Sequence, residues 1–235
     1  MREPHTISKK IGANNIGLDI CDSCNTYFGV KDKSKKYPMS VELAFKEIFN
    51  VIRHLLPPNK LENKKMDSIY FNYFKNKRVF KIKKSFQFQR EFISMFTRQF
   101  KRGVYEAFLQ EYHRITNNGL DSKFNKIRDF ARFDKGDIPL YFIDNDGAIA
   151  TQVNDAPSFS INDKSIQQIT DFGFYLLLFF GFWFFLEVTP RAEISREVFL
   201  RNIYRELNMP NPIFSGIKTL NYITNLDFTL RKLNS

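Results

Sequence analysis

The chain has 235 residues, 43% hydrophobic and 26% charged, a balance that suits a globular protein and excludes a low-complexity or disordered chain. That length builds one large domain or two small ones with real cores. The net charge of +11, from 36 Lys and Arg against 25 Asp and Glu, points to a polyanionic partner, nucleic acid first and an anionic membrane second.

The opening Met1-Arg2-Glu3-Pro4-His5 has no apolar core of a signal peptide, and no N-x-S/T sequon occurs anywhere. Both features favour a reducing, cytoplasmic setting. Residues 5 to 38 read as a compact unit. His5-Thr6-Ile7 is a short strand, Gly12 and Asn14-Asn15 form a loop, and Ile16 to Ile20 is a second strand. Cys24 to Phe28 opens a short helix, and the lysine-rich stretch from Lys31 to Lys36 with Pro38 closes the unit like a linker. The two cysteines, Cys21 and Cys24, are too close in sequence to staple a fold, because a disulfide gains most by closing long loops. Their C-x-x-C spacing suits a metal knuckle or a redox pair.

An amphipathic helix follows, with Ser40 as its cap and Glu42 in its first turn. Phe45, Ile48, Phe49, Ile52, Leu55 and Leu56 share one face, and Pro57-Pro58 ends it. Residues 60 to 90 carry ten Lys and Arg against two acids, Glu62 and Asp67. Within them Phe80, Ile82, Phe86 and Phe88 share one parity, as in a half-buried strand, which turns Lys81 and Lys83 outward. A second long helix spans about Glu91 to Ile115, with Phe92, Phe96, Phe100, Val104, Ala107 and Phe108 at helical spacing and Asn117-Asn118-Gly119 as its stop. Arg98, Lys101 and Arg102 are candidates to extend the basic surface along it. His54 and His113 fall off the apolar stripes and read as solvated.

The second half is more strand-like. Pro139 to Ile143 reads as a strand, and Asp144-Asn145-Asp146-Gly147 is a turn. Phe172 to Leu186 is a fifteen-residue run without a charge. A membrane-spanning helix needs roughly 20 such residues. The aromatic content and the mid-run Gly181 favour two buried strands meeting at a turn over a membrane anchor. A third helix starts at Thr189-Pro190, with Ile194, Val198, Phe199, Ile203 and Leu207 as its buried stripe.

Residues 3 to 29 combine Glu3 and His5, the segment PHTISKKIGANNIGLDICDSCNTYFG, and within it C-D-S-C-N followed by Tyr27, Phe28 and Gly29. This pattern resembles the HNH endonuclease family, in the branch where H-T-I precedes C-D-x-C-N-x-x-F-G. The stretches RGVYEAFLQEYHRIT and FNKIRDFARFD look like the helical region after the motif in such proteins. The resemblance implies an α+β fold: an N-terminal ββα-metal motif in residues 1–38, then an accessory domain over 39–235, helical in 39–135 and strand-rich with a terminal helix in 136–235.

It also implies a chemistry, hydrolysis of phosphodiester bonds, of DNA before RNA. His5 would be the general base on water. Asn25 would hold or orient a divalent ion, Mg²⁺ or Mn²⁺, whose hard-cation chemistry suits oxygen ligands. Such proteins often place an acid directly before the His. Pro4 stands there, which leaves Glu3, or Asp32 two turns along the helix from Asn25, as substitute ligands. Cys21 and Cys24 would be half of a four-cysteine Zn²⁺ knuckle, whose other pair is absent from these residues. Lys81, Lys83, Arg98, Lys101 and Arg102 would hold the phosphate backbone of duplex DNA without reading sequence. A restriction or phage-defence setting, with a second copy or a defence-system protein as partner, goes with the resemblance. The alternative is a non-catalytic nucleic-acid-binding protein that keeps a degenerate HNH shape.

Overall fold

A computed structural model describes residues 15–55, 66–74, 79–143, 159–206 and 216–226. The expected strand at His5-Thr6-Ile7, the Pro57-Pro58 stop, the turn at Asp144 to Gly147 and the core positions Leu56 and Leu207 lie outside the described residues, as does the side chain of Leu55. The class is mixed α+β, with six α-helices and two antiparallel sheets among the described residues.

Helix α1 (Asp22–Gly29) is short. Helix α2 (Val41–Leu55) begins behind Ser40, whose hydroxyl accepts the Leu43 N–H at 3.2 Å. A ribbon of β1 (Phe71–Phe74) and β2 (Val79–Ile82) precedes the long α3 (Arg90–Thr116). Every apolar position expected on α3 is buried, and Asn117 ends it in the left-handed conformation at φ 59°. α2 crosses α3 at Gly103, where an added Cβ would sit 2.9 Å from the Cβ of Phe45. A 3₁₀ turn leads into α4 (Asn125–Phe133), which packs beside α3.

The larger sheet has the order β4-β5-β3-β6, built from β3 (Leu140–Ile143), β4 (Phe174–Phe179), β5 (Phe182–Glu187) and β6 (Ile217–Thr219). The uncharged run is the β4–β5 hairpin, in register Phe174↔Glu187 through Phe179↔Phe182. Its two-residue turn, Phe180 at φ 47° and Gly181 at φ 82°, has the positive φ pair that lets a tight turn follow strand twist. The hairpin is buried on both faces. Tyr175, Leu177, Phe179, Phe184 and Leu186 join the core of α2 and α3, while Phe174 and Phe185 join a second cluster with Phe199 and Ile203 of α6 (Arg191–Glu206). Alternation between apolar and polar residues is therefore lost, as it is in any doubly covered strand. No helix among the described residues is long and apolar enough to cross a membrane.

Helix α5 (Asp163–Phe172) opens with a capping box between Asn162 and Ser165 and closes at Gly173, φ 76°. The Gly173 carbonyl accepts the N–H groups of Val188 and Thr189, so α5, β4, β5 and α6 meet at one corner.

Three expectations change. Ile16 to Ile20 is not a strand: Ile16 makes a single bridge, and the chain bends at Leu18 and Asp19, with Asp19 at φ 53°. On α6, Ile194 and Val198 are 89% and 52% exposed, and the buried positions are Ala192, Phe199 and Ile203. On β2 the inward parity ends early, since Ile82 is exposed at the strand's end and Phe88 is exposed past the turn at Lys84 and Ser85.

Candidate functional site

The C-D-S-C-N segment forms the cap and first turn of α1. Cys21 is the N-cap in extended conformation, and its sulfur accepts the Cys24 N–H at 3.4 Å. Asn25 closes the first helical hydrogen bond, its N–H donating to the Cys21 carbonyl at 3.0 Å. The expected short helix is thus present, and Asn25 lies half-buried on it.

The segment is fastened to α3 and α4 by polar contacts that span long sequence distances. Asn15 Nδ2 donates to Glu111 Oε1 at 3.0 Å, and Asp19 Oδ2 lies 3.0 Å from His113 Nε2. The Tyr27 hydroxyl meets Arg102 Nη2 at 2.8 Å, and the Arg132 guanidinium lies 3.9 Å from the Tyr27 ring centroid. Arg132 Nε donates to Cys24 Sγ at 3.4 Å.

His113 is therefore not solvated: it is 8% exposed. Its Nδ1 accepts the Gly119 N–H at 3.1 Å, which leaves Nε2 to carry the proton toward Asp19. Asp19, in its left-handed conformation, aims its carboxylate at that proton. His54 is half-buried too, with Nδ1 at 2.8 Å from the Asn50 carbonyl.

Two titrations stand out here. Hydrogen bonds from the Ser23 hydroxyl and the Cys24 N–H bring the Cys21 thiol down to about 7. Beneath the segment, burial pushes the Glu106 carboxyl up to about 7, against the pull of Gln110, Arg132 and Arg102. Glu106 as a whole residue keeps some exposure; its carboxyl is the desolvated part. The sequence pattern gave no sign of Glu106, because the arginines that surround it come from α3 and α4 together.

The other expected site residues separate. Glu3 and His5 lie outside the described residues. Helix α1 stops at Gly29, so Asp32 is not on its face; Asp32 Oδ1 instead accepts the Ser34 N–H at 3.0 Å and the Ser34 hydroxyl at 2.6 Å. These bonds hold its carboxyl below the usual range. Lys101 and Arg102 are 5% and 3% exposed. Lys101 Nζ pairs with Asp137 at 2.6 Å, and Arg102 binds the Ala131 carbonyl and Tyr27. Arg98 holds Asp134 at 2.7 Å and the Gly136 carbonyl at 2.7 Å. The expected continuation of a basic surface along α3 is thus not formed: these cations tie α3 to the turn after α4. Lys81 remains exposed, its ammonium 5.6 Å from the Phe74 ring centroid, whereas the Lys83 ammonium donates to the Ser68 carbonyl.

Among the described residues no group of three or more His, Cys, Asp or Glu could hold a metal ion. Cys21 and Cys24 offer two thiols where a structural zinc takes four donors. The described residues therefore do not fit a complete zinc knuckle or a complete catalytic metal centre. Compared with known proteins, the chain matches no family model, no curated protein and no solved structure.

Proposed function

We propose that the chain is an endonuclease of the HNH type, hydrolysing phosphodiester bonds of nucleic acid, with duplex DNA as the preferred substrate. The observation that supports this reading is the seating of C-D-S-C-N: the motif caps and opens α1, places Asn25 on its first turn, and is braced against α3 and α4 through Tyr27. A phosphodiesterase site needs such a rigid support, since small displacements of catalytic groups cost large factors in rate. In this reading His5 takes a proton from the attacking water. Asn25, in the first turn of α1, is the residue that would hold or orient the divalent ion. That ion, Mg²⁺ or Mn²⁺ as the resemblance implies, would supply charge neutralisation at the scissile phosphate. Restriction or phage defence is the setting that goes with this activity.

A non-catalytic nucleic-acid-binding protein is the second reading. It is favoured by the bend at Leu18 and Asp19 where a second hairpin strand was expected. One experiment separates the two: nicking of supercoiled plasmid in Mg²⁺ or Mn²⁺ by the wild-type chain and by His5→Ala, with DNA binding measured alongside. The nuclease reading expects His5→Ala to lose about 10²–10⁴-fold in rate and to keep its binding. Equal cutting by both chains would remove His5 from the chemistry. Binding without cutting by the wild type would select the second reading.

A further inference from the structure

We propose that Cys21 and Cys24 form a redox-active dithiol that closes reversibly to a disulfide by exchange with disulfide substrates such as glutathione disulfide. The inference stands on the geometry of α1 and is independent of cleavage chemistry.

Cys21 and Cys24 occupy the N-cap and the third residue of α1, positions that helical geometry holds about 5 Å apart at Cα, inside the span a disulfide requires. Cys21 Sγ already lies 3.4 Å from the backbone nitrogen of Cys24. The Cys24 sulfur is three covalent bonds from that same nitrogen, so its χ1 sets how near it comes to the Cys21 sulfur.

The two thiols differ in the way an exchange reaction needs. Cys21 is exposed and offers its sulfur to an incoming disulfide, while Cys24 is half-buried against α4. Arg132 holds Cys24 Sγ at 3.4 Å and is itself stacked on Tyr27 at 3.9 Å. That hydrogen bond belongs to the reduced pair and is given up as the Cys24 sulfur turns toward Cys21, so Arg132 weighs toward the dithiol. Neither cysteine has a further thiol, imidazole or carboxylate gathered around it as a metal site would, among the described residues.

The exchange balances in two steps. The Cys21 thiolate attacks one sulfur of glutathione disulfide, forming a protein–glutathione mixed disulfide and expelling one glutathione thiolate. Cys24 then attacks the Cys21 sulfur, breaking the mixed bond and releasing the second glutathione. The two protein thiols lose two electrons to the two sulfurs of the oxidant, and their protons pass to the two released thiolates. Reduction runs the same path in reverse, with attack at the accessible Cys21 sulfur and departure of Cys24 beside Arg132.

The test equilibrates the full chain in buffers of graded glutathione to glutathione disulfide ratio, traps free thiols with iodoacetamide, and reads the products by mass spectrometry. Zinc content is measured on the same sample. The expected wild-type product is an internal Cys21–Cys24 disulfide, two hydrogens lighter, formed reversibly by a chain without bound zinc. Cys24→Ser should accumulate the Cys21–glutathione adduct, and Cys21→Ser should react more slowly. Arg132→Gln should shift the wild-type equilibrium severalfold toward the disulfide. Overturning results are equally plain: two independent glutathione adducts with no internal disulfide, or one equivalent of bound zinc that blocks alkylation of the reduced chain. The wild-type measurement alone decides the matter if a variant does not fold.

Discussion

At the scale of single residues, the least local feature of the chain is the buried charge around α3. Lys101, Arg102 and His113 lie off the stripe that the spacing of apolar residues picks out, Glu111 falls on it three and four residues after Phe108 and Ala107, and all four are buried. A hydrophobic stripe marks one buried face. This helix has α2 on one side and α4 with the N-terminal segment on others, so polar residues are enclosed as well. Beside the local pairs Glu111–Arg114 and Arg102–Gln99, their partners Asp137, Tyr27, Asn15 and Asp19 stand tens of residues away, where no periodicity can reveal them. Glu106 gives this arrangement a measurable sign. Its carboxyl is pushed up to about 7, with burial as the leading cause, while in the unfolded chain it titrates near about 4.3. The folded state therefore holds the proton more tightly, and folding stability contributed at low pH is lost as pH rises through about 7. Glu106→Gln keeps the contact with Gln110 and removes the titration. Measured by urea denaturation, the variant should gain on the wild type between about pH 5 and pH 8, by up to about 3 kcal/mol. A stability difference that stays constant over that window would show that the Glu106 carboxyl is not desolvated in the folded chain.

Elements were legible where a single rule controlled them. The fifteen uncharged residues from Phe172 to Leu186 became a hairpin because Phe180-Gly181 turns the chain, and both faces of the strands find cover. The stripe of α6 was read less well: a helix laid on a twisted sheet buries Ala192, Phe199 and Ile203, and sends Ile194 and Val198 outward. The second strand at Ile16 to Ile20 failed for another reason. Asp19 takes a left-handed conformation that meets His113, and an extended run cannot pass through it. The corner at Gly173 offers the sharpest test of how these elements are joined. Gly173 and Gly136 share nearly the same positive φ, 76° and 68°. A Cβ on Gly173 would fall 2.5 Å from the Ala192 nitrogen and 2.7 Å from Thr189 Oγ1, while one on Gly136 meets nothing within 4 Å. Gly136→Ala should thus cost only the conformational penalty, about 1 kcal/mol. Gly173→Ala should cost clearly more, because α6 must move off the corner, and should lower the melting temperature by several degrees beyond its counterpart. Equal losses for the two variants would mean that the corner yields freely.

For the whole molecule, the net charge of +11 says that a polyanion is attracted but not where it lands. Several cations expected at the surface are consumed inside: Lys101 by Asp137, Arg98 by Asp134, and Arg102 by the Ala131 carbonyl and Tyr27. The β1–β2 ribbon differs. Its outward face carries Asn72, Phe74, Val79 and Lys81, in a register that sets Lys81 opposite Asn72 and Val79 opposite Phe74. No acid stands on that face. A two-stranded ribbon of this kind is narrow enough to lie along or enter the major groove of duplex DNA. Under the proposed nuclease function, the ribbon carries affinity through phosphate contacts rather than base reading. Lys81 and Lys83 then part company. Lys81 is exposed and free to meet a phosphate, while the Lys83 ammonium is already spent on the Ser68 carbonyl. Each phosphate contact releases counterions with a slope near −0.9 in log affinity against log salt on duplex DNA. Lys81→Gln should therefore flatten the slope by about 0.9 and weaken binding equally on two unrelated duplexes. Lys83→Gln should leave the slope nearly unchanged. Binding isotherms for both variants across a salt series, on both duplexes, make the comparison. An unchanged slope for Lys81→Gln would place the DNA elsewhere on the molecule, and a loss on one duplex alone would mean that the ribbon reads bases.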